Sequence, residues 1–186
     1  MSPAIPSPAP LALRCHPECA DAAVRAITVT PRREADGALA LVWQLDGDPA
    51  ALRIPDATLI LPPERLWAHT CVELFVATAG GPAYREFNFS PNGQWMRFDF
   101  SAYRQRIASP AGPAPRIDTR CGEGGLAMRV HVPADQLPSG ELTVALTAVV
   151  EHADGSHTYW ALRHPAGRPD FHHRDGFALA LKASSP

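Results

Sequence analysis

Two carboxylates, an amide, a guanidinium and two aromatic side chains crowd the middle of the sequence: Glu73, Tyr84, Glu86, Asn88, Trp95 and Arg97. Aromatic faces stack on the apolar faces of sugar rings, and forked carboxylate, amide and guanidinium groups hydrogen-bond vicinal hydroxyls. A small polar ligand suits such a set. Two carboxylates about 5 to 9 Å apart could also serve as acid and base in glycoside hydrolysis. That use is not expected here: an arginine opposite Glu86 would lower its carboxyl, the wrong direction for a general acid. No nucleophile elbow, phosphate-binding loop or dinucleotide fingerprint occurs either, so the chain is read as non-catalytic.

Period-two alternation places these residues. In 83–90 the even positions are Tyr84, Glu86, Asn88 and Ser90, while Phe87 and Phe89 occupy the other face. Past the turn at 90–93, Met96, Phe98 and Phe100 form an apolar set, and Trp95, Arg97 and Asp99 form the set expected on the polar face. Ser90-Pro91-Asn92-Gly93 suits a type I turn with Gly93 in the left-handed region. Pairing Ser90 with Gly93 would set Asn88 opposite Trp95, Phe87 opposite Met96 and Glu86 opposite Arg97. The rival turn centred on Asn92-Gly93 would oppose Glu86 to Asp99, a like-charge pair costing a few tenths to about 1 kcal/mol, so the first register is expected. In 70–77 the apolar set Val72, Leu74 and Val76 sends Cys71, Glu73 and Phe75 to the opposite face, with Glu86 and Asn88. An ordinary solvated face would alternate in the same way, though usually with Lys, Thr and Ser.

Further candidate strands are 26–30, 38–46, 94–100, 126–132, 142–152, 158–164 and 177–181, separated by turn chemistries such as Asp36-Gly37 and Asp154-Gly155. Helical periodicity is confined to a turn or two in 101–107 and a turn at 134–137. About nine strands describe an all-β, antiparallel two-sheet sandwich of jelly-roll type with one or two short helical turns. A chain of 186 residues with 46% hydrophobic and 19% charged residues fits one globular domain, expected over 14–183 after a loosely packed segment, 1–13.

The formal charge of -2 and the single lysine, Lys182, leave no basic patch for nucleic acid. No apolar run is long enough for a membrane span, and the first residues lack the pattern of a signal peptide, so a cytoplasmic location is expected. Cys15, Cys19, Cys71 and Cys121 are then expected as thiols; Cys15 and Cys19 flank His16 but lack the usual zinc-knuckle spacing. His69, His164 and His172, with Met96 and His173, are the candidates for haem or a metal. None has the spacing of an attachment motif, so no cofactor is expected. Trp67 and Trp160 each stand where a strand meets a loop; Trp160 is assigned to the core and Trp67 is left open.

The runs Leu66-Trp67-Ala68-His69-Thr70-Cys71-Val72-Glu73-Leu74-Phe75 and Tyr84-Arg85-Glu86-Phe87-Asn88-Phe89-Ser90-Pro91-Asn92-Gly93-Gln94-Trp95 resemble the bacterial DOMON-like domains related to family 9 carbohydrate-binding modules. Cys15-His16-Pro17, Phe100 with Tyr103-Arg104, Tyr159-Trp160-Ala161-Leu162 and Pro169-Asp170-Phe171-His172 extend the resemblance over nearly the whole chain. It implies a jelly-roll sandwich that binds sugars or haem. Sugar-binding relatives are usually secreted, whereas no export signal is read here, which shifts the expectation towards a soluble sugar or sugar-containing molecule. A structural or protein-interaction domain without a small ligand is the remaining alternative.

Overall fold

A computed structural model describes residues 9–19 and 23–182. Two antiparallel sheets form a jelly-roll sandwich, and among the described residues the only helical pieces are short 3-10 turns. The first sheet runs in the order β1 (Leu11–Ala12), β3 (Val24–Arg33), β4 (Leu39–Gly47), β10 (Gly125–Val132) and β9 (Arg116–Gly122). The second runs β2 (Arg14–Cys15), β12 (His157–Ala161), β11 (Leu142–Glu151), β5 (Cys71–Thr78), β6 (Tyr84–Phe89), β7 (Trp95–Ala102) and β8 (Gln105–Ile107); β13 (Leu179–Leu181) pairs with β11 beyond the end of β12.

Alternation decides which side chains meet between the sheets. Val29, Leu41, Trp43, Met128 and Val130 from the first sheet pack with Val72, Leu74, Val76, Phe87, Phe89 and Leu146 from the second. Trp160 belongs to this core, as its sequence context suggests. Close approach also demands glycine at one point. Gly125 has φ +132°, and a Cβ there would lie 2.0 Å from the Leu45 carbonyl oxygen, so no other residue fits that pairing of β10 with β4.

A second, smaller cluster lies on the outer face of the second sheet. Phe75, Ala77, Tyr84, Phe98, Phe100 and Ala145 gather there with Met96, Phe171 and Phe177 packed on them. The C-terminal stretch around 169–177 thus covers part of a face that would otherwise be open. Both faces of β5 are consequently buried from Cys71 to Ala77.

The expected strands are present, with differences that have physical reasons. Residues 101–107 do not form a helical turn: Arg104 takes φ +56° and the chain reverses into β8. The turn expected at 134–137 is a 3-10 turn over Ala134–Gln136. Strand β9 was not foreseen, because an edge strand of alternating arginine, aspartate and threonine carries almost no apolar signal. At the N-terminus, 1–8 of the segment expected to be loose lie outside the described residues, whereas Leu11 pairs with Val29 and Leu13 is buried.

Candidate functional site

The turn at 90–93 decides which side chains share a face with Glu86. Gly93 has the left-handed φ of +88°, its N–H donates to the Ser90 carbonyl at 3.0 Å, and the Ser90 N–H donates to the Gln94 carbonyl at 2.9 Å. The turn chemistry is the expected one, but Gly93 is an extra bulged residue, so Ser90 faces Gln94 instead of Gly93. Both registers read from the sequence are therefore corrected: Glu86 lies opposite Phe98, Phe87 opposite Arg97, Asn88 opposite Met96 and Phe89 opposite Trp95. A one-residue slip moves every side chain of β7 to the other face.

Trp95 and Arg97 accordingly leave the proposed patch. Trp95 packs against the inter-sheet core. Arg97 is buried with Asp99, Nε to Oδ1 at 2.9 Å, and also donates to the Gln136 side chain and to the Pro110 carbonyl. In their place Phe98 and Phe100 turn outward, Tyr84 stacking on Phe100 at 4.6 Å between ring centroids. Glu73, Tyr84, Glu86 and Asn88 do share the outer face: Glu73 pairs with Asn88 and Glu86 with Phe75.

A pocket of about 590 Å³ opens on this face. Glu73, Phe75, Glu86, Phe98 and Phe100 are among the side chains on its sheet side. Trp67, on the 3-10 segment Pro63–Ala68, stands on one flank with an accessible indole, 49% exposed, whose N–H is fixed on the Glu64 carbonyl at 3.1 Å. Pro169, Phe171 and His172 line another part, and Arg104, Arg106, His157 and Tyr159 contribute polar groups. The Arg106 guanidinium lies 4.1 Å over the Phe98 ring.

The two glutamates are diagonal neighbours across β5 and β6, about 7 to 8 Å apart at Cα in such an arrangement. Glu73 accepts hydrogen bonds from the Thr147 hydroxyl at 2.9 Å and the Cys71 thiol at 3.6 Å. Burial, with the Glu86 charge beside it, pushes the Glu73 carboxyl up to about 8. Glu86 accepts from the Asn88 amide at 2.7 Å, and burial raises its carboxyl to about 6. The depression expected from Arg97 does not arise, since Arg97 is on the other face.

A relay orients the remaining imidazole. The Tyr84 hydroxyl accepts the Arg104 N–H at 3.1 Å, and the bond of 2.8 Å between Tyr84 Oη and His172 Nδ1 gives the phenol proton its acceptor. His172 then carries its proton on Nε2, which points at Glu86 Oε2 over 3.7 Å. Burial, reinforced by Arg104, lowers His172 to about 4, so it is neutral near pH 7.

The haem and metal candidates do not converge. His69 Nδ1 meets Glu151 at 2.9 Å, His164 Nε2 meets the Arg14 carbonyl at 2.8 Å, and only His172 lines the pocket. Among the described residues no three His, Cys, Asp or Glu side chains are grouped to hold a metal ion. His16 is buried with its ring edge against His164 at 4.8 Å.

Several pocket residues were not chosen from the sequence. Phe98 and Phe100 were assigned to the core by the wrong register, and Trp67 was left open. His172 was singled out only as a haem or metal candidate, and Phe171 and Arg104 fall within stretches that carried the family resemblance, the one signal that could have brought them in.

No known family's sequence model matches the chain, and no curated protein matches it. Its fold does match solved structures. A protein from Bacteroides uniformis, described as a candidate carbohydrate-binding protein, superposes with a TM-score of 0.64 at 15% identity, over 90% of this chain and 82% of its own. A family 9 carbohydrate-binding module from Caldicellulosiruptor kristjanssonii, solved in complex with cellotriose, gives 0.59 at 12% identity, over 86% of this chain and 74% of its own. The chain therefore has the fold of carbohydrate-binding modules of this type.

Proposed function

We propose that this domain binds carbohydrate, without catalysis, in the pocket on the outer face of the second sheet. The observation that carries the reading is the pairing of aromatic faces with buried acceptors in a cavity of about 590 Å³, a size typical of small-molecule sites. Trp67 offers an exposed apolar face to a sugar ring, Phe75, Phe98 and Phe100 give the pocket an apolar floor, and Glu73 and Glu86 accept from hydroxyls. The fold likeness to a module solved with cellotriose supports the same ligand class.

Titration with cello-, manno- and xylo-oligosaccharides, followed by calorimetry and tryptophan fluorescence, tests this. At least one series is expected to bind, and Trp67→Ala should weaken it about tenfold, in line with the loss of one exposed stacking residue. An unchanged affinity in Trp67→Ala would remove the pocket as the site. Bound oligosaccharide should be recovered intact; new reducing ends that disappear in Glu86→Gln would contradict the non-catalytic reading.

A further inference from the structure

The outer face of the first sheet carries a second cavity, of about 400 Å³, and its register explains it. One row across the sheet reads Arg32, Ala40, His131 and Arg116, and the next reads Thr30, Val42, Arg129 and Asp118. Strand β4 contributes only the short Ala40 and Val42 between longer side chains on β3, β9 and β10, so a trough runs along it. Its charges do not balance. Glu34 is taken up by Arg32 at 2.6 Å and by His131 at 3.1 Å. Asp118 then stands among three arginines: Arg129 lies opposite it, and Arg116 and Arg120 flank it on β9. Its ion pair is a long one, Arg120 Nε to Asp118 Oδ1 at 3.9 Å, and Arg116 and Arg129 form no ion pair among the described residues. Three guanidiniums against one carboxylate leave a surplus of two positive charges, on a chain whose formal charge is -2.

Charged side chains on an edge strand guard it against pairing, which accounts for arginines on β9. It does not account for Arg129, which lies inside the sheet on β10 between Val42 and Asp118. We propose that the trough binds a phosphate group, free or as the monoester of a small non-aromatic molecule, gripped by Arg116 and Arg129. Diagonal neighbours on antiparallel strands lie about 7 to 8 Å apart at Cα, within reach of long side chains, and the guanidinium fork matches phosphate oxygens. A phosphate monoester carries about -1.5 to -2 at pH 7, which matches the surplus; a single carboxylate neutralises half of it. No phenyl, phenol or indole ring lines the trough among the described residues, so nothing there stacks on a nucleobase or a sugar ring, and the phosphate supplies the recognition. The strands that supply these residues are distant in sequence, which is why no basic run marks the site. Among the described residues none lines both cavities, so the inference stands apart from the carbohydrate reading.

The test is titration of the isotope-labelled full chain, at pH 7.5 and constant ionic strength, with inorganic phosphate, glycerol 3-phosphate and acetate, followed by amide chemical shifts. Saturable shifts are expected at 116–118, at 129–131 and at Ala40 and Val42, with a midpoint for phosphate or its ester about tenfold or more below that for acetate. A lower midpoint for the ester assigns the ester, and equal midpoints assign the free ion. Arg116→Gln and Arg129→Gln should each raise the midpoint about fivefold or more, and Asp118→Asn, which removes the competing carboxylate, should lower it. Arg25→Gln removes the same charge from the Arg25–Asp46 pair outside the trough and should leave the midpoint within about twofold. All four side chains are exposed, and the spectrum itself shows that each variant folds. Shifts that rise without saturating, equal midpoints for acetate and phosphate, or a loss in Arg25→Gln as large as in Arg129→Gln would overturn the site, and would leave the pocket on the second sheet untouched.

Discussion

Burial and the neighbouring Glu86 charge favour the protonated form of Glu73, outweighing the hydrogen bonds donated by Thr147 and Cys71. In the unfolded chain this group titrates near 4.5, and in the folded chain near 8. Below the lower value it is protonated in both states and costs nothing. As pH rises between the two, the unfolded state loses its proton and the folded state keeps it, so stability falls and the loss is complete above the higher value. Glu73→Gln should flatten this decline, which thermal unfolding from pH 5 to 8.5 will measure; parallel profiles for the two proteins would contradict it. Arg97 presents the opposite case, a buried cation with a buried partner on the core side of β7. Arg97→Ala leaves Asp99 with only the longer contact to Arg85, Nε to Oδ2 at 3.8 Å, and should cost about 3 kcal/mol in denaturant unfolding, with carbohydrate affinity unchanged. Reduced affinity in a variant that still folds would return Arg97 to the site.

The hairpin of β6 and β7 is where sequence and structure part, because its register depends on one residue. Gly93 occupies a left-handed conformation with open space around its α-carbon, so Gly93→Ala adds strain without a clash. The expected cost is about 1 to 2 kcal/mol, readable as a shift in urea midpoint; no shift would contradict the bulge. Composition identified this turn and its left-handed glycine, yet not the one-residue count that sets the faces. Polarity then misled, since an outward Phe98 and an inward Arg97 reverse the usual preference. Both reversals have local causes. Phe98 and Phe100 join an outer cluster on which Phe171 and Phe177 pack from far along the chain, and Arg97 finds Asp99 and Gln136. Alternation within one strand holds no trace of either partner. Where local pattern and tertiary environment agree, as in Val72, Leu74 and Val76 of β5, the face was legible, and Glu73 fell where it was expected.

At the scale of the whole molecule, the two sheets divide their work. The first closes the core against the second, while the second has both faces covered: one by the first sheet, the other by the C-terminal stretch and the Pro63–Ala68 segment. The pocket lies between those two covers, which explains why its lining comes from residues spread between Glu64 and His172. The two-sheet fold could be anticipated from strand count and turns, since most strands announce themselves locally and only short or polar edge strands such as β8 and β9 do not. The pocket could be anticipated only where family resemblance reached beyond β5 to β7, because its walls are assembled by long-range packing. The most direct test of a carbohydrate site on this face is amide and indole chemical-shift mapping on the isotope-labelled protein, titrated with the oligosaccharide that binds most tightly. The expected result is a set of shifts on β5, β6, β7 and β12 together with the Trp67 indole N–H. Shifts confined to the first sheet, β3, β4, β9 and β10, would contradict it.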